Sequence, residues 1–216
     1  MDSLTLIKKV TETAAPGPGL TFMETHVLKA LELMGDEGAV GRIRLAQELN
    51  LGEGVVRTLL RHLGGLGLIS TIRSGSTLTK LGQKVYRFIE TQVGGPVEVP
   101  KNPITVGRYN VALVVRKASK GVRYGLEQRD SAVKAGALGA TTLILKGGVL
   151  TMPGVDENCF RDLPKIQTAL FSGLQLQEGD VVVIGSANDS VTADLSSKAA
   201  VLETLKQCSR LRSRTS

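Results

Sequence analysis

The sequence has no tryptophan, four phenylalanines and three tyrosines in 216 residues. Side chains on which bases stack are therefore scarce, which argues against a single-strand binder built on stacking platforms. Cys159 and Cys208 are the two cysteines, far apart and without CxxC spacing. They read as free intracellular thiols, not as a disulfide or zinc pair. Two histidines and no cluster of ligating residues exclude an expected metal site. No apolar run approaches the ~18–20 residues of a membrane span. The N-terminus lacks the basic segment and apolar stretch of a secretory signal. A cytoplasmic protein without a membrane partner is expected. Walker loops, GxSxG, HExxH and Cys/His pairs at workable spacing are all missing. No catalytic residue and no cofactor is assigned, and an enzyme is not the expectation.

One further absence is local. Between Gly54 and Ile89 there is no Asp or Glu, while Arg57, Arg61, Arg73, Lys80, Lys84 and Arg87 lie there. In a chain of net charge +7, this 36-residue run carries +6. That is a focused positive field and not a general basic bias.

The run has a readable pattern. Val56, Leu59, Leu60 and Leu63 recur at helical spacing and can face a core. Arg57 and Arg61, with Thr58 and His62 beside them, are expected to point outward together. Gly64, Gly65 and Gly67 end that helix, Leu68 to Ile72 make a strand, and Ser74-Gly75-Ser76 is a tight turn with Arg73 at its root. Thr79 caps the next helix, from about Leu81 to Thr91. Upstream, Thr21-Phe22-Met23-Glu24 reads as a capping box for a helix that stops at Gly35, and Val40 as a short strand. Arg42 and Arg44 open the following helix, where they either lie near phosphates or form a solvated pair.

Leu45-Ala46-Gln47-Glu48-Leu49, Val56-Arg57-Thr58-Leu59-Leu60, Leu66-Gly67-Leu68-Ile69 and Leu78-Thr79-x-x-Gly82 together resemble the winged helix-turn-helix module of prokaryotic, especially archaeal, transcription regulators. The resemblance covers roughly residues 20–93. It implies a recognition helix, Val56–Leu63, in the major groove of double-stranded DNA. Arg57, Thr58, Arg61 and His62 would lie at bases or backbone, and which arginine touches a base stays open. Arg73, Ser74 and Ser76 on the wing would meet a phosphate or the minor groove, with Lys80 beside them.

Three prolines and two glycines between Gly94 and Pro103 read as a linker without regular structure. Beyond it, Tyr109–Arg116 reads as a strand covered on both faces and Leu126–Ala137 as a helix. Thr141–Leu145 and Val149–Met152 form a hairpin around Gly147-Gly148, Asp162–Leu170 is a helix, Asp180–Ile184 a buried strand, and Ser190–Leu205 a helix. AVKAGALGATTLILKGG and EGDVVVIGSA are similar to an archaeal family of unknown function with the same two-domain layout.

The expected fold class is α+β. Its parts are a leader (1–20), a winged helix-turn-helix domain (21–93), a linker (94–103), a small mixed α/β domain (104–208) and a disordered basic tail (209–216). The α/β domain is expected to sense a small anionic metabolite or to form a homodimer. Arg123, Asp130, Lys134, Thr141 and Thr142 are candidate ligand contacts. So are Ser186, Asn188 and Asp189, in a strand–helix loop where backbone N–H groups can cradle an anion, or where Asp189 simply caps the helix. Two alternatives stand beside the regulator: a metabolic enzyme that binds nucleotide or flavin in a kinase-like way with a fused winged helix, and a winged-helix subunit of a larger complex.

Overall fold

The computed structural model describes residues 2–12 and 20–215. The Pro/Gly stretch at 15–19, part of the expected leader, lies outside them. The chain divides into two compact units, Met1–Glu90 and Thr91–Ser216.

The first unit opens on a helix inside the segment expected to be a leader. This is α1 (Ser3–Val10). Asp2 caps it, accepting hydrogen bonds from the Thr5 N–H at 3.0 Å and the Thr5 hydroxyl at 2.6 Å. Leu6, Ile7 and Val10 are buried, and that apolar stripe against α2 (Glu24–Glu37) and α4 (Glu53–Gly65) is what holds so short a helix in place. The expected capping box at Thr21 is displaced. Met23 takes the N-cap position of α2, and the buried His26 ring accepts the Met23 N–H at Nδ1, 2.9 Å away. Gly35 does not stop α2. It lies under the Tyr86 ring, and the helix ends at Gly38, whose φ is +83°.

After α3 (Arg42–Glu48), α4 buries Val56, Leu59 and Leu63. The hairpin β1 (Ile69–Ile72) and β2 (Gly75–Leu78) pairs Ile72 with Gly75, so its two-residue turn is Arg73-Ser74, one position earlier than expected. Gly75 is required at φ +144°, where a Cβ would stand 2.5 Å from the Val40 carbonyl oxygen. Val40 and Ser76 exchange two backbone hydrogen bonds of 2.9 Å, tying the hairpin to the segment before α3. The helix α5 (Lys80–Gln92) follows.

The second unit is one five-stranded antiparallel sheet ordered β3-β4-β7-β5-β6. Its strands are β3 (Val93–Glu98), β4 (Tyr109–Val115), β5 (Gly139–Lys146), β6 (Val149–Thr151) and β7 (Val181–Ala187). One face carries α7 (Pro164–Leu174), packed with Phe160 on Ala112, Val114, Leu143, Val182 and Ile184. The other carries α6 (Leu126–Lys134) and α8 (Ser190–Thr215). This two-sided cover explains why β4 and β7 are apolar at consecutive positions.

Three expectations change here. The segment 94–103 is not without regular structure, because β3 occupies Val93–Glu98. It is an edge strand whose register shifts between Gly94 and Val97, the place where Pro96, lacking an N–H, does no harm. The expected loop 185–189 is strand as far as Ala187. The tail from 209 continues α8 to Thr215 in place of disorder.

Candidate functional site

The helix α4 separates its residues by angle. Val56, Leu59 and Leu63 face inward, and Glu53, Gly54, Arg57, Arg61, Gly64 and Gly65 form the exposed stripe opposite. Thr58 sits on the flank, half-buried, with its hydroxyl donating to the Gly54 carbonyl at 3.3 Å. His62 departs from expectation. Its Nδ1 is 2.8 Å from the Val10 carbonyl oxygen, and its ring meets the buried Phe22 edge-on at 5.8 Å. The imidazole thus fastens α1 to α4 and does not join the outward stripe.

On the hairpin, Arg73 and Ser74 are exposed at the turn. Ser76 is 2% exposed, turned inward by its pairing with Val40, and is no surface contact. Lys80, Lys84 and Arg87 are exposed along α5. Among the described residues, none of Arg57, Arg61, Arg73, Lys80, Lys84 and Arg87 has a carboxylate at ion-pair distance. Arg42 and Arg44 contrast with them. Arg42 meets Glu53 at 3.2 Å, and Arg44 meets Glu37 at 3.4 Å and Glu48 at 3.1 Å. Both arginines are thus paired with acids of the same unit, which neither reading of them had foreseen.

The ligand contacts expected in the second unit do not converge. Thr141 and Thr142 are neighbours on β5 and point to opposite faces. Thr141 donates to the Ile104 carbonyl at 2.5 Å, whereas Thr142 is buried beside Gly125. Asp130 pairs loosely with Arg129, at 3.9 Å, and not with Lys134. Ser186 is fully buried and donates to Asn110 Oδ1 at 2.7 Å, inside the sheet. Asp189 accepts the Thr192 N–H at 2.8 Å, and that bond holds its carboxyl below the usual carboxylate range. It caps α8, and the loop left to cradle an anion is only Asn188 and Asp189. Arg123 is exposed and stacks over Tyr124 at 5.2 Å. Both cysteine thiols are pushed up, chiefly by burial, which suits structural and not activated thiols. Among the described residues no group of His, Cys, Asp and Glu is placed to hold a metal, and no helix is long and apolar enough to cross a membrane.

Sequence reasoning passed over Lys117 and Lys120 and left Arg210 and Arg212 in a disordered basic tail, and all four line two clefts with Arg123. Their only sequence signal is a basic character in two segments some ninety positions apart, and spacing gives no hint that these meet (Cys208 lies 3.7 Å from the Ala118 carbonyl).

The chain is thus a mixed α/β protein of two units with eight helices and two sheets among the described residues. Residues 27–84 match the family described as PH0730-like, N-terminal domain, and residues 106–205 match a domain of unknown function (DUF4443). The chain is similar to the solved structure of hypothetical protein PH0730 from Pyrococcus horikoshii OT3. The identity is 25% and the TM-score 0.66, over 86% of this chain and 99% of that one. No curated protein matches. These matches fit an uncharacterised archaeal two-domain family.

Proposed function

We infer that the protein is a DNA-binding transcription regulator. On this reading the first unit is a winged helix-turn-helix domain, with α4 in the major groove and the Arg73-Ser74 turn as a wing on the backbone or minor groove. Arg57, Arg61 and Thr58 then face base edges and phosphates, and Lys80 meets the backbone. His62 and Ser76 drop out of the contact set. The observation that carries the reading is the set of six exposed cations on α4, the turn and α5, none with a carboxylate partner among the described residues. Uncompensated like charges repel, and a polyanion relieves that repulsion. A surface made for protein contact has no need to exclude every acid over 36 residues. The second unit supplies effector binding or dimerisation, and the regulator works in the cytoplasm as a homodimer.

The test is binding of the purified protein to its own upstream DNA and to a scrambled duplex, across a salt series. Each phosphate contact contributes a slope of about −0.9 in log K against log salt. Arg57→Ala/Arg61→Ala is expected to lower affinity and flatten that slope by up to about 2. Binding that is weak, indifferent to sequence and unchanged by the double substitution would overturn the reading.

A further inference from the structure

Two adjoining clefts open on the second unit where residues 117–123 meet the last turns of α8. One, of about 630 Å3, is lined by Lys120, Val122, Arg123, Glu127, Gln207 and Arg210 among others. The second, of about 720 Å3, includes Lys117, Gly179, Cys208 and Arg212, and shares Lys120, Gly121 and Leu211 with the first. The joined cleft presents five cations, Lys117, Lys120, Arg123, Arg210 and Arg212, against one lining acid, Glu127. Arg210 lies 3.7 Å from Glu203. Among the described residues, Lys117, Lys120 and Arg123 have no carboxylate at ion-pair distance.

The backbone beneath these cations is pinned. The Lys117 N–H donates to the buried Asp180 at 2.9 Å, with Lys117 held at φ +49°, a left-handed conformation that a non-glycine residue adopts only when its surroundings impose it. The Ser119 N–H donates to the Gly179 carbonyl at 3.0 Å. Gly121 admits Cys208 so closely that a Cβ would sit 2.5 Å from its sulfur. The backbone that carries Lys117, Lys120 and Arg123 is therefore held around one concavity, and a ligand has only the exposed side chains left to order. Each cleft has the volume of a small-molecule site. A duplex, in contrast, is met by a protruding helix or ribbon.

We propose that this joined cleft binds a small polyphosphorylated ligand of the nucleoside triphosphate class. Lys117, Lys120, Arg123 and Arg210 hold the phosphates, and Val122 and Leu211 supply apolar contact. The proposal deepens the regulator reading by giving its effector a chemistry, yet it requires nothing of α4.

Calorimetric titration of the full chain with ATP, inorganic triphosphate and adenosine, at about 150 mM salt to suppress non-specific attraction, tests it. ATP and triphosphate should bind saturably, and adenosine at least about tenfold more weakly. Lys120→Glu/Arg123→Glu should weaken ATP by about tenfold or more, with Lys120→Ala/Arg123→Ala between it and the wild type. Both side chains are exposed, so the melting curve should be unchanged. Arg57→Ala/Arg61→Ala should retain ATP affinity within about twofold, which separates this site from the DNA face. Absence of saturable ATP or triphosphate binding by the wild type would overturn the proposal. So would undiminished affinity after charge reversal, or a loss confined to the α4 variant.

Discussion

Asp180 is the place to test how the second unit is held together. It is fully buried, and its carboxylate accepts from Arg116 Nη1 at 2.9 Å, the Lys117 N–H at 2.9 Å and the Gln177 N–H at 3.0 Å. Arg116 in turn donates to the Leu174 carbonyl at 2.9 Å and the Gln175 carbonyl at 3.1 Å, satisfying the C-terminal end of α7. One carboxylate thus joins the end of β4, the approach to β7 and the end of α7. Asp180→Ala strips the acceptor from two backbone donors, each costing about 1–3 kcal/mol when left unsatisfied. It also leaves a guanidinium unpaired, and losing one partner of a buried pair costs about 3–5 kcal/mol in total. The Arg116 side chain is 28% exposed, so water recovers part of that, and the lower end, about 3 kcal/mol, is expected. Urea unfolding, with amide exchange at Val114 and Val182 as local reporters, measures the loss. A double-mutant cycle with Arg116→Ala should return a coupling of about 1–3 kcal/mol. A loss below about 1 kcal/mol, or additive single effects, would refute the account of Asp180 as a pin.

Three further outcomes are expected. Burial depresses the pKa of His26, Lys29 adds to this, and a ring that accepts at Nδ1 has no room for a second proton there. The unfolded chain then binds the proton first, so stability is full above the ordinary value of 6.5 and is lost as pH falls from it toward the depressed folded value. His26→Gln, which can still accept the Met23 N–H, should remove that pH dependence in a series of thermal melts. Gly64 lies on the exposed stripe of α4, and a methyl group added to its Cα would meet nothing within 4 Å, so Gly64→Ala should stabilise by about 0.5–1 kcal/mol in urea unfolding. Leu59→Ala, at a fully buried position on the opposite face, should cost about 2–5 kcal/mol in the same assay.

The sequence was most legible where local chemistry and tertiary demand agree. The buried stripe of α4 follows from its spacing. The β5–β6 hairpin follows from Gly147-Gly148, both at positive φ and closed by the Lys146–Val149 pair. What escaped depends on partners distant in sequence. His62 turns to Val10, 52 positions earlier, in a segment without an obvious reason to be ordered. Ser76 is drawn inward by Val40, and nothing in its own neighbourhood signals that. Pro96 and two glycines read as linker because only an edge position with a shifted register tolerates them, and edge position is a property of the whole sheet. Gly185, Ser186 and Ala187 look like a loop by composition, yet Ser186 has a buried partner in Asn110 and the strand continues through them. The candidate DNA face was legible as charge, but the division between outward arginines and the inward histidine was not.

The order of the sheet has a consequence for biosynthesis. The strand at its centre, β7, follows all the others in sequence, and it separates β4 from β5 on either side. While residues up to 180 emerge from the ribosome, β4 and the β5–β6 hairpin have no common partner, and their apolar faces cannot be sealed. The first unit has all its contacts available some ninety residues earlier. The nascent chain therefore matures from its N-terminal end, and for the time needed to add roughly a hundred residues, at about 5–20 per second, the apolar faces of the second unit stay without their central strand.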